Sequence, residues 1–142
     1  MIATALASST AKTGPCVMRS SEGSNLGNGE LACGLDIQPC SAGDPRLCEV
    51  VPSATLDSVL LGLSPPVSNI DIVKMDVEGS ECAVLAGSHL LFQQYRPSLI
   101  EMEVKGAASR RCGYAVAAQH NYTVHELHTR DRDILLVRGD IG

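Results

Sequence analysis

The chain has 142 residues, 44% of them hydrophobic and 19% charged, with a formal net charge of -5. That length suffices for one domain with its own core, and this balance of apolar and charged residues excludes a disordered chain. Aromatics make up 3%, Trp is absent and no basic run occurs, which argues against a nucleic-acid partner: stacking platforms are few and the cations are not clustered along a phosphate track. No apolar run approaches the length of a transmembrane segment.

The amino terminus, MIATALASSTAKTGPC, is rich in Ala, Ser and Thr and has no acid before Glu22. It can be read as a targeting peptide. The reading preferred here is a strand near Ile2 to Leu6 followed by a loop, because a charged leading segment is missing and the apolar run is short. Residues 1–49 are rich in Gly, Ser, Pro and Cys, with turn signals at Gly27-Asn28-Gly29 and Ala42-Gly43-Asp44-Pro45. A structureless stretch of that length is unusual inside a domain. It either carries short strands or has lost its neighbours. The six cysteines, at 16, 33, 40, 48, 82 and 112, form no C-x-x-C pair and have no His at zinc-finger spacing. They are expected as unpaired thiols in a reducing compartment, which favours the cytoplasm; a loop disulfide is the alternative for an exported protein.

From Val50 the pattern tightens. Thr55 can cap a short helix whose apolar face is Leu56, Val59, Leu60 and Leu63, stopped by Pro65-Pro66. Ile70 to Met75 is an apolar strand, and Ser80 to about Gln94 is expected to be one helix. Leu99 to Val104 is a second strand. Gly113 to His120 begins a third unit after a turn at Arg110-Arg111. Tyr122 to His128 and Ile134 to Val137 complete the pattern as strands, with Val124 and Leu127 inward and a polar turn at Asp131-Arg132-Asp133. This order predicts an α/β fold: a parallel sheet that ends in an antiparallel pair.

Chemistry concentrates where strands end. Asp76 follows the first apolar strand, so its side chain would face the crevice at the sheet's carboxyl edge. There it can hold a hydroxyl, an amine or a divalent cation. Equally, Asp76, Glu78 and Glu81 can serve as helix-start acids. Gly79 allows a sharp turn from strand to helix. Glu101 and Glu103 share one face of the next strand, by side-chain alternation. Two carboxylates on an apolar strand are costly unless paired or hydrated, and they suit a general base or a metal ligand; the structural alternative is a strand end already solvated, with Lys105 or an arginine pairing Glu103. Glu101 lies deeper and is the stronger candidate. Asp57 reads as a first-turn acid. His89, His120, His125 and His128 make no metal motif, and no Ser or Cys has a nucleophile-elbow context.

TLDSVL at 55–60, IDIVKMDVEGSECAVLAG at 70–87, RPSLIEMEV at 96–104 and the late Gly113-Tyr114 resemble the FkbM-type S-adenosylmethionine-dependent methyltransferases in wording, order and spacing. The resemblance is good over 50–138 and loose over 1–49. It implies a doubly wound, Rossmann-like sheet, present here in part and mostly parallel with an antiparallel carboxyl-terminal strand pair. Ile70–Met75 and Leu99–Val104 would be the family's fourth and fifth strands. The family's glycine-rich cofactor loop has no counterpart in the sequence, so the chain is expected to be a single, amino-terminally truncated methyltransferase domain over 1–142. The implied cofactor is S-adenosylmethionine, with cofactor-binding residues unassigned. The implied acceptor is a small molecule, glycan or lipid. Asp76 and Glu78 would line the active-site mouth, and Glu101 or Glu103 would take the acceptor's proton. An exposed sheet edge would offer a route to oligomers. Two other readings stay open: a non-catalytic interaction module on the same fold, and an acidic metal-dependent hydrolase using Asp76, Glu101 and Glu103.

Overall fold

A computed structural model of the chain describes residues 5–6, 16–20, 29–33, 37–41, 47–127 and 133–139. Nine strands and three α-helices are assigned among them. The amino-terminal part carries short strands, as one of the two expectations required. β1 (Ala5–Leu6) runs parallel to β5 (Ser53–Ala54). β2 (Cys16–Ser20) sits between β3 (Gly29–Cys33) and β4 (Cys48–Val51), antiparallel to both.

All six cysteines are paired, as Cys16–Cys33, Cys40–Cys48 and Cys82–Cys112. This corrects the expectation of unpaired thiols. The register of β2 and β3 sets Cys16 opposite Cys33, and the packing of two helices joins Cys82 to Cys112 across 30 residues. Neither juxtaposition is visible in linear spacing. Disulfides persist in oxidising compartments, so the cytoplasmic expectation loses its support.

A four-stranded sheet carries the candidate site. β6 (Ile72–Met75), β7 (Leu99–Met102), β9 (Ile134–Arg138) and β8 (Tyr122–Glu126) lie side by side in that order. β6 and β7 are parallel, whereas β9 is antiparallel to both β7 and β8. The expected carboxyl-terminal antiparallel pair is present. The expected predominance of parallel pairing is not, because β9 enters the sheet between β7 and β8 in the reverse direction. β6 forms one edge, and its Ile72 is 67% exposed.

Alternation gives this sheet two faces. Val73, Met75, Ile100, Met102, Ile134 and Leu136 belong to one, where they join Val84, Leu85, Leu91, Phe92 and Ala117 in the main core. Each fully buried aliphatic side chain there contributes roughly 1.5–3 kcal/mol of transfer free energy. The other face carries Ile72, Lys74, Leu99 and Glu101, in register as neighbours.

Helix α1 (Leu56–Gly62) begins as expected: Thr55 Oγ1 accepts from Ser58 N–H at 3.1 Å. Leu60 is buried beneath it, and Leu61 on the far side is exposed. The predicted helix from Ser80 to Gln94 is two pieces. α2 (Glu81–Ala86) stops at Gly87, and a π-helical turn follows at Leu91–Tyr95. Asp57 accounts for the break. Its carboxylate accepts from His89 N–H at 3.0 Å and Leu90 N–H at 2.8 Å, capping the second piece from a distant helix.

α3 (Ala107–His120) runs straight through Arg110-Arg111, where a turn was expected. Gly113 lies inside it for a packing reason. A Cβ there would stand 2.6 Å from Ile134 Cδ1, so any larger residue would have to displace that side-chain tip for the helix to approach β9 this closely. Within β8, Tyr122 is buried and Val124 half-buried, and the Tyr122 hydroxyl donates to Pro97 O at 2.7 Å. Leu127 lies just past that strand, half-buried, while His128, Asp131 and Arg132 fall outside the described residues. No described helix is long and apolar enough to cross a membrane.

Candidate active site

The pairing of β6 with β7 builds the site. Met75 lies opposite Met102 in this parallel pair, and Glu103 N–H donates to Met75 O at 2.9 Å. Each strand's next residue is therefore a carboxylate beside the other: Asp76 and Glu103. The chain after Asp76 then reverses. Ser80 N–H donates to Val77 O at 3.1 Å, closing a turn whose two central residues, Glu78 (φ 51°) and Gly79 (φ 99°), both lie in the left-handed region. Glycine tolerates that conformation. A glutamate there costs about 1–2 kcal/mol, so its surroundings must hold it.

This turn brings Glu78 back to the strand ends. One ligand atom each from Asp76, Glu78 and Glu103 lies within 4.8 Å of the others. Lys105 stands across them, its Nζ 2.7 Å from Glu78 and 3.5 Å from Glu103. Three carboxylates so close can hold a divalent cation, although exposed acids of this kind are common without one. Glu101 is elsewhere. It pairs with Lys74 at 3.5 Å, one step back along the same face, at a half-exposed position.

Electrostatics single out Glu103. Its carboxyl is pushed up from 4.5 to about 7 by hydrogen bonding to Asp76, then by burial, then by the Asp76 charge; Lys105 opposes the rise and Glu78 adds to it. Oε2 of Glu103 is buried with no hydrogen-bond partner among the described residues, a setting that disfavours its ionised form. Lys105, bonded to Glu78, is held above its ordinary value.

Asp76 is not a helix cap: Ser80 occupies that position and α2 has no side-chain cap. Glu81, one of the helix-start acids, is fully buried. Its Oε1 accepts from Gly79 N–H at 2.9 Å and its Oε2 from the Ser109 hydroxyl at 2.8 Å. Ser109 carries no sequence signal for this role, because only the packing of α3 on α2 supplies it.

Two concavities lie away from the acids. A groove of about 230 Å³ between α2 and α3 is lined by Cys82, Leu85, Phe92, Cys112 and His120 among others. His120 stacks on Phe92 at 4.7 Å, and burial, followed by nearby His89, lowers its pKa. The other, about 500 Å³, lies against Met18, Arg19, Leu47 and Glu49.

The methyltransferase FkbM domain matches residues 8–139, nearly the whole described chain. The chain belongs to the FkbM methyltransferase family. The match extends well into the amino-terminal stretch that the motif wording covers only loosely. No curated protein and no solved structure matches the chain. Membership in this family makes methyl transfer the activity to which the acidic site is compared.

Proposed function

We propose that this FkbM-family chain carries the acceptor side of an S-adenosylmethionine-dependent O-methyltransferase site, with Asp76, Glu78 and Glu103 as its working groups. The observation that supports this most is a carboxylate raised to about 7 where two parallel strands end. A base whose pKa lies near the working pH is suited to removing a hydroxyl proton.

The donor set fits the cofactor's charge. Apart from Lys105 and the protonated form of Glu103, the cluster accepts hydrogen bonds, which suits a ligand bearing an ammonium group, a cationic sulfur and hydroxyls. When bound, S-adenosylmethionine supplies an electrophilic methyl group. Glu103, in its ionised form, would accept the acceptor hydroxyl's proton and so make that oxygen nucleophilic. Asp76 stands beside Glu103 at the strand ends, while Glu78 is steered by Lys105. Positioning dominates such a transfer, because reacting atoms must be held in line. Glu101, paired with Lys74, takes a supporting place on the strand below. The acceptor class proposed is a hydroxyl-bearing small molecule, glycan or lipid.

Calorimetric titration of the chain with S-adenosylhomocysteine tests the reading, followed by a methyl-transfer screen over hydroxyl acceptors. Saturable binding is expected, and Glu103→Gln is expected to lower kcat by roughly 10²–10⁴. A folded chain that does not bind, or a Glu103→Gln variant with full activity, would refute the proposal.

A further inference from the structure

We infer that Glu81 is a positioning residue: a latch that holds the strained Val77–Ser80 turn, and so Glu78, within the acid cluster. A carboxylate with no exposed surface is costly unless its oxygens are bonded. Both Glu81 oxygens are bonded, one to Gly79 N–H in the turn itself and one to the buried Ser109 hydroxyl on α3.

A surface acid would suffice to complement the start of a six-residue helix, so the helix alone does not explain burial at this position. The turn does. Two successive residues at positive φ, one of them a glutamate, persist only where neighbours over-determine them. Glu81 bonds the second of these residues and anchors it to another element. Lys105 bonds the first from the opposite side, through the Glu78 carboxylate. Glu78 is thereby clamped between an internal anchor and an external cation.

The neighbouring Cys82–Cys112 disulfide joins the same two helices. It keeps α2 and α3 docked when Glu81 is changed, which separates the latch from the general packing. The bearing of this latch on methyl transfer rests on the function proposed above; the latch itself does not.

Amide hydrogen exchange on the full chain tests it without cofactor or acceptor. In Glu81→Ala, exchange at Gly79 is expected to accelerate by about tenfold or more, as befits loss of a hydrogen bond to a charged acceptor. The Val84 amide, bonded to Ser80 O within α2, should keep its protection. Glu81→Gln retains the shape and one acceptor oxygen, and is expected to restore protection at Gly79. Equal exchange at Gly79 in wild type and Glu81→Ala overturns the inference, as does equal acceleration in Glu81→Ala and Glu81→Gln. Should Glu81→Ala fail to fold, Ser109→Ala decides: faster exchange at Gly79 supports the latch, and unchanged exchange overturns it. A chain that shows no methyl transfer but keeps Gly79 protected would refute the activity and leave the latch standing.

Discussion

Replacing Asp76 with asparagine removes the group that does most to raise the Glu103 carboxyl, and the pH dependence of stability reports the change. In the wild type, the Glu103 carboxyl stands at about 7 against an ordinary 4.5. Between those values the folded chain retains a proton that the unfolded chain has released. Stability contributed by Glu103 is therefore fully present below about 4.5 and falls as pH rises through about 7. The full shift corresponds to an upper bound of about 3 kcal/mol. Water around the exposed Asp76 and Glu78 reduces this to about 1–2 kcal/mol. In Asp76→Asn, the leading cause of the shift and the Asp76 charge both disappear, and the asparagine amide can donate to ionised Glu103. The Glu103 carboxyl should fall towards its ordinary range. Urea unfolding followed by circular dichroism at several pH values from 5 to 8 gives the comparison. The variant is expected to gain on the wild type by about 1–2 kcal/mol across that window. The difference matters more than either slope, because other carboxylates titrate in both proteins. Parallel stability curves would refute the effect of Asp76 on Glu103 and, with it, the assignment of Glu103 as a base poised near neutrality.

Two further substitutions test the frame around the site. Gly113→Ala places a methyl group against Ile134 and Met102; overpacking of about 1–3 kcal/mol, partly offset by about 1 kcal/mol of helix propensity, should leave a net loss that denaturant unfolding can read. An unchanged midpoint would mean that α3 has room to shift. Asp57→Ala removes the acceptor for His89 and Leu90 N–H, and should cost about 1–2 kcal/mol. Hydrogen exchange should quicken at those two amides while the Thr55 cap of α1 stays protected; equal loss at both places would contradict a separate capping role.

The stretch from Ile70 to Gly87 announces its strand, its acidic turn and its helix, because its apolar runs and the glycine between them each constrain the backbone locally. Thr55 likewise reads as a cap from its place before an apolar face. The antiparallel entry of β9 between β7 and β8 is a choice among pairings, and a strand's own residues do not state its neighbour. Glu101 and Glu103 look equivalent in sequence, two apart on one face. Pairing distinguishes them: Glu101 meets Lys74, and Glu103 meets Asp76. Asp57 reads as an acid of its own helix, yet it also caps the one that follows α2.

What the sequence determined alone is local and motif-borne: an α/β order, carboxylates at strand ends, a glycine where the chain must reverse, and the wording of the FkbM family. What only the tertiary structure decided is which groups share a space. Register set Asp76 beside Glu103, the docking of α3 on α2 buried Glu81 against Ser109 and joined Cys82 to Cys112, and a positive-φ turn carried Glu78 back to the strand ends. The reason is physical. Backbone preference acts over a few residues, whereas a shifted pKa, a buried hydrogen bond or a disulfide depends on distances of a few ångströms between residues that lie far apart in the chain.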